Sequence, residues 1–476
     1  MGLLLREVAC MNEHSKYLDF LDRKKMMDPC TGIDHVADLP AFLKDHQRDI
    51  TSWALRRGRA AIFAGTGLGK TLMELVWGAR VAEYTGKPVL AFAPLAVSAQ
   101  HIREASKFGL EAEIAKVQQD IRNGVFVSNY QKIGHFDMSK FGGIVLDESS
   151  ILKSTDGHYR TRLIEECAQI PFRLAATATP APNDFMELGN HADFLGVMSY
   201  TDMLATFFVH DGGDTQKWRL KGHAENEFWK WMASWAVMIR KPSDLGYTND
   251  GYDLPPLHQH QHTVGVEYAP SMETGLLFPM EARSMSERIS TRRGTIDERV
   301  AMAAKLTPSD RPFVWWCNLN AESAALTKAI PGAVETLGSD PDDVKERKLT
   351  DFSEGRTRVL ITKPGVAGFG MNWQHCSDTG FVGLNDSFEQ VYQAIRRFWR
   401  FGQSKPVNVH FIAAETEGAV VANLKRKEHD AERMAASMVM HTASISSSII
   451  RGMVRDTPDY QPKQPMIIPR WIGAAS

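Results

Sequence analysis

A strand, a glycine-rich loop and a helix follow one another between Ala60 and Ala79, and few architectures accommodate that order. Ala60-Ala61-Ile62-Phe63 is the short apolar run of a buried strand. Ala64-Gly65-Thr66-Gly67-Leu68-Gly69-Lys70-Thr71 comes next, and Leu72, Leu75, Val76 and Ala79 then recur at helical spacing. A glycine loop between a buried strand and a helix belongs at the carboxyl edge of a parallel α/β sheet. Glycines let backbone N–H groups approach phosphate oxygens, Lys70 reaches the β and γ positions, and the Thr71 hydroxyl can hold Mg²⁺. The stretch therefore predicts a nucleoside triphosphate site.

Gly143-Ile144-Val145-Leu146 reads as a second buried strand, ending in Asp147-Glu148-Ser149-Ser150. Carboxylates at the tip of a parallel strand fall beside the phosphate loop, so Asp147 is expected to hold Mg²⁺ and Glu148 to orient and polarise the attacking water. Thr177-Ala178-Thr179-Pro180 closes a third run and offers two hydroxyls that could relay the nucleotide state to a second domain. Ahead of the loop, Gln47 could read an adenine edge through its amide, or simply open a helix at the surface. In the other half of the chain, Gln393, Arg397 and Arg400 stand at i, i+4 and i+7, one face of a predicted helix that stops at Gly402. An isolated basic face is usually just solvated. Opposite a phosphate loop, convergent arginines instead suit the charge on a transferring phosphoryl group. Gly365-Val366-Ala367-Gly368-Phe369-Gly370-Met371-Asn372 follows another strand, and its glycines let backbone approach a phosphate while Asn372 adds an amide.

Taken in order, Gln47, Ala64–Thr71, Asp147-Glu148, Thr177–Pro180, Gly365–Asn372 and Gln393–Gln403 resemble the motifs of a superfamily 2 helicase. The Gln-x-x-x-Arg-x-x-Arg-x-Gly-Gln run is similar to that of its Swi/Snf-like branch of DNA translocases. The Asp-Glu-Ser-Ser acid box, with Thr179–Asp184 and Arg240–Gly246, resembles phage and prophage helicases of the DEAD/DEAH-box type. The resemblance implies an α/β chain of two RecA-like lobes, each a mainly parallel sheet flanked by helices, with ATP and Mg²⁺ in the cleft between them. Lobe 1 would bring Gln47, Lys70, Thr71, Asp147 and Glu148; lobe 2 would bring Arg397 and Arg400 as arginine fingers and Gln393 near the γ-phosphate. Gly368 joins the nucleotide set, while Pro94, Ser128, Asn129, Gly365 and Asn372 are the implied nucleic-acid contacts. Arg396 departs from the glycine usual in that signature. The implied activity is ATP-dependent translocation on DNA, duplex DNA being favoured, with phage or host replication, recombination or restriction proteins as partners. An RNA-dependent ATPase and a slow nucleotide-gated clamp on nucleic acid remain open alternatives.

The organisation expected is a leader over 1–38, lobe 1 over 39–250, a bridge over 251–307, lobe 2 over 308–430 and a tail over 431–476. At 476 residues there is material for two sizeable cores. A net charge of −2 is low for a nucleic-acid protein, but suffices if a strand lies in a narrow groove touched by N–H groups, hydroxyls and a few arginines. Five scattered cysteines indicate neither zinc nor a disulfide framework and favour a reducing cytoplasm. Met1–Arg6 is too short an apolar run for a signal peptide, Met11 is an alternative start, and no run reaches transmembrane length, so no membrane partner is expected. Two further features stand apart. Phe228, Trp231 and Trp235 share one side of a helix and read as core packing rather than base stacking. His258, His260 and His262 alternate on one strand face, but with no nearby carboxylate or cysteine they do not by themselves make a metal site.

Overall fold

The computed structural model describes residues 32–450 apart from 154–156, 182–183, 212–213, 266–292, 368–370, 385–386 and 416–417. The leader up to residue 31, Gly368 and the proline-bearing tail beyond 450 lie outside these residues. Two parallel sheets flanked by helices organise the rest, the α/β arrangement of two RecA-like lobes.

The first sheet contains β1 (Arg59–Ala64), β2 (Val89–Ala93), β3 (Ala112–Ile114), β4 (Val125–Asn129), β5 (Gly143–Asp147) and β6 (Phe172–Thr177). A small antiparallel hairpin, β7 (Phe208–Asp211) with β8 (Asp214–Leu220), precedes its last member, β9 (Ala236–Ile239). The order is β3-β4-β2-β5-β6-β1-β9, parallel throughout. β2, β4 and β5 are buried along their whole length, which is why Val89–Ala93, Val125–Val127 and Ile144–Leu146 read as apolar runs. Register then sets the chemistry. Ile62 pairs with Ala176, and Ala176 pairs with Asp147, so the phosphate loop, Thr177 and the acid pair emerge side by side from β1, β6 and β5.

The helix Glu225–Trp235 packs Phe228, Trp229 and Trp235 into this lobe's core, so its aromatic side is structural. The four residues after it form β9, which pairs with β1.

The second sheet comprises β10 (Leu257–Val264), β11 (Phe313–Trp316), β12 (Ala333–Glu335), β13 (Val359–Thr362), β14 (Asp378–Phe381) and β15 (Val407–Ala414). Its order is β10-β15-β14-β11-β13-β12, again parallel. The stretch expected to serve only as a bridge thus supplies an edge strand. β10 carries mostly exposed polar residues, so no apolar run announces it. A helix of 33 residues, Gly418–Ile450, is the last of the described elements. Val420 and Leu424 sit in the second lobe's core, whereas Met438 and Ile450 sit in cores of the first. At about 1.5 Å per residue, such a helix reaches roughly 50 Å and spans both lobes.

Candidate active site

The phosphate loop takes its shape from glycine. Gly67 (φ 89°) and Gly69 (φ 82°) occupy the left-handed region. A Cβ on Gly67 would lie 2.8 Å from the Phe401 Cβ, and one on Gly69 would lie 2.2 Å from Gln47 Nε2, so side chains at either position would collide with neighbours. Phe401 directly follows Arg400, so the arginine segment of the second lobe rests on the loop of the first. Gly65 N–H donates to Ile239 O at 2.9 Å, and the Leu68 side chain is buried in the core. Gln47 donates from Nε2 to Leu68 O at 3.1 Å and accepts from Lys44 N–H at 3.0 Å. It thereby braces the loop. Lys70 Nζ donates to Ala64 O at 2.7 Å. Burial pulls its ammonium below the usual lysine value, opposed by Glu148 and Asp147, while Arg400 adds a like charge. Thr71, half-buried, is the second residue of the helix Lys70–Thr85.

Asp147 ends β5, and Glu148 turns the chain at φ 57°, the one non-glycine residue at positive φ among the described residues. That conformation is strained, by about 1–3 kcal/mol, and hydrogen bonds hold the side chain it displays. Glu148 Oε1 accepts from Thr177 Oγ1 at 2.8 Å and from Ser150 Oγ at 3.0 Å. The threonine expected to relay the nucleotide state therefore touches the expected base directly, and Thr179 N–H in turn donates to Thr177 Oγ1 at 3.1 Å.

Two residues that motif reading passed over stand behind Asp147. Glu74 lies on the Lys70–Thr85 helix and His101 on Leu95–Lys107; both are buried. His101 Nε2 is 3.3 Å from Glu74 Oε2 and 3.5 Å from Asp147 Oδ2, and its Nδ1 is 3.2 Å from Val97 O. Both ring nitrogens face acceptors, so both carry protons. Burial alone would push the imidazole down, but Glu74 and Asp147 outweigh it and hold it at about 9. Burial and the Glu74 charge raise Asp147 to about 6, against His101 and Lys70. No local pattern marks His101 or Glu74, because only the fold joins them.

The second lobe's contribution differs in form from the expected helix. The α-helix Phe388–Ile395 ends before the arginines, which lie on tight turns: Arg397 N–H donates to Ala394 O, and Phe398 N–H to Ile395 O. The cause is local. Arg397 Nε donates to Gln393 O at 3.0 Å, taking the carbonyl that its own N–H would use in a helix, while Phe398 turns fully into the core. Arg397 also donates from Nη2 to Gln393 Oε1 at 3.1 Å. Burial presses both Arg397 and Arg400 below the usual guanidinium value, and for Arg397 the Arg400 charge adds to it. Arg400 Nε and Gln393 Nε2 are buried without hydrogen-bond partners. Arg396 is turned away from this cluster, stacked over Trp399 at 4.4 Å and Tyr392 at 5.0 Å.

Partnerless buried donors beside a lysine and a second guanidinium fit a polyphosphate. Asp147 and the Thr71 hydroxyl are hard oxygen donors that fit Mg²⁺. The expected nucleic-acid contacts divide. Pro94 caps the Leu95–Lys107 helix, and with Gly365 it lines a cleft of about 680 Å³ between the lobes that also includes Arg103, Glu148, Lys153 and Lys345. Lys153 pairs with Glu389 across that cleft. Asn129 and Asn372 each keep an Oδ1 without a partner. Ser128 is different: it is buried and donates to Ala115 O at 2.7 Å, so its hydroxyl serves the first sheet and is not offered to a strand. A larger cavity of about 850 Å³ lies beyond the arginine segment, against the Gly418–Ile450 helix, and includes none of Lys70, Glu148 or Arg400.

No protein-family model matches the chain. It is 24% identical over 442 residues to protein p41 of Acyrthosiphon pisum secondary endosymbiont phage 1, covering 78% of this chain and 93% of that protein. Among solved structures it is similar to the Sulfolobus solfataricus SWI2/SNF2 ATPase core in complex with dsDNA, at 17% identity and a TM-score of 0.41 over 88% of this chain and 96% of that one. Among the described residues, no helix is long and apolar enough to cross a membrane.

Proposed function

We propose that this chain is an ATP-dependent DNA translocase of the helicase type, hydrolysing ATP between its lobes and stepping along DNA. The observation that carries the reading is the buried, partnerless Arg400 Nε, supplied by the second lobe to the lysine and carboxylates of the first. Lys70 and the loop N–H groups bind the phosphates, Gln47 orients the base, and Asp147 with Thr71 would hold Mg²⁺, which would supply positive charge to offset that of the phosphates. Glu148, fixed by Thr177 and Ser150, takes the proton of the attacking water. Arg400, with Arg397 behind it, offsets the charge that develops on the transferred phosphoryl group. Because the two halves of the site belong to different lobes, completing it draws the lobes together, and hydrolysis releases them. The cleft holding Pro94 and Gly365 opens beside Glu148, so a nucleic-acid backbone lying there would be moved by that closure.

ATPase rate measured with duplex DNA, single-stranded DNA and RNA tests this. Stimulation by duplex DNA is expected. Stimulation by RNA alone would instead mark an RNA-dependent ATPase, and slow hydrolysis indifferent to all three would mark a nucleotide-gated clamp.

A further inference from the structure

The edge of the second sheet gathers histidines that the nucleotide site does not use. Parallel register sets His260 of β10 opposite His410 of β15, a residue 150 positions away in the chain. The His262 Nε2 lies 3.0 Å from the His410 Nδ1. The His260 ring stacks on His410 at 4.9 Å and the His262 ring at 5.2 Å, while His258 stands 6.5 Å from His260.

Two imidazoles bound to one tetrahedral ion at about 2.0–2.1 Å hold their nitrogens roughly 3.3 Å apart, close to the spacing already present. The strands fix both Cα positions, whereas exposed His260 can rotate to bring in a third nitrogen. The adjacent carboxylate, Asp378, is committed: it accepts from Asn408 Nδ2 at 3.0 Å and pairs with Arg311 Nε at 3.1 Å. The donor set is therefore imidazole alone, which suits zinc and its borderline neighbours rather than Mg²⁺.

We propose that His262 and His410, completed by His260, form a transition-metal site, with Zn²⁺ as the natural occupant. Its effect would be to staple the polar edge strand β10 to β15. The site is independent of the nucleotide reading and would stand if that reading failed.

Calorimetric titration of the full chain with Zn²⁺, in buffer containing Mg²⁺, tests it, with Co²⁺ absorption reporting the ligand field. A single equivalent bound at micromolar or tighter affinity is expected, with tetrahedral Co²⁺ bands. His260→Ala, at an exposed position, should weaken binding roughly 10- to 100-fold, and the double variant His262→Gln/His410→Gln should abolish it. His101→Gln, at the buried cluster near Asp147, should leave Zn²⁺ affinity unchanged. No Zn²⁺ binding by the wild type would overturn the proposal. So would binding that survives the double substitution, or binding lost in His101→Gln.

Discussion

Replacing Thr177 by valine removes one hydroxyl from beneath the expected base. Thr177 is fully buried, and valine matches its shape, so the sheet should keep its packing. Two bonds disappear: the 3.1 Å bond accepted from Thr179 N–H, and the 2.8 Å bond donated to Glu148 Oε1, which orients a carboxylate mounted on strained backbone. A hydrogen bond to a charged group contributes about 1.5–3 kcal/mol. If that energy serves to hold Glu148 against the water, the barrier rises by the same amount, and turnover falls roughly 10- to 150-fold. Ser150 still donates at 3.0 Å, which argues for the lower part of that range. Single-turnover hydrolysis at saturating ATP measures the rate, and fluorescent-nucleotide titration measures affinity separately. The rate should drop with affinity close to wild type, and Thr177→Ser should recover most of it. An unchanged rate, or a loss confined to affinity, would refute the argument that Thr177 acts by positioning Glu148.

Other perturbations probe neighbouring parts of the account. Lys70→Ala removes the buried ammonium from the loop and should weaken ATP binding at least about 10-fold, the loss of one charge-assisted hydrogen bond; equilibrium titration with unchanged affinity would contradict the phosphate-loop assignment. Glu148→Gln should retain bound ATP while turnover falls about 10²- to 10⁴-fold, the usual range for general-base loss, and wild-type hydrolysis would remove the base role. His191 is fully buried between Glu187 O and Ser149 Oγ, and burial lowers it to about 4 from 6.5. Its folded value lies below its unfolded one, so the neutral ring's contribution is present above pH 6.5 and is lost as pH falls toward 4, by up to about 3 kcal/mol. Urea-unfolding midpoints should show His191→Gln losing less stability than wild type across that window; parallel pH profiles would show that His191 does not carry this term.

Where local rules decided the outcome, the sequence was a sufficient guide. Unbroken apolar runs made buried parallel strands, and glycines at 67 and 69 made the loop because their φ values exclude other residues. Where side-chain partners decided it, pattern failed. Gln393, Arg397 and Arg400 have helical spacing, yet the Arg397 guanidinium captures Gln393 O and the helix stops at Ile395. Ser128 has the hydroxyl that a phosphate contact needs, but its strand turns that hydroxyl toward Ala115. His101 and Glu74 lie 27 positions apart on two helices and carry no motif; β5 brings Asp147 beside them. β10 exposes most of its side chains, so the histidines that hid the strand from apolar patterning are the ones facing His410.

The central claim is that one ATP site is shared by two lobes, and Arg400→Ala tests it most directly. ATP affinity and hydrolysis should be measured on the same preparation with duplex DNA present. ATP should remain bound while turnover falls by roughly 10³- to 10⁵-fold, as expected for an arginine finger. Near-normal turnover in that variant would contradict it, because the second lobe would then contribute nothing to the chemistry.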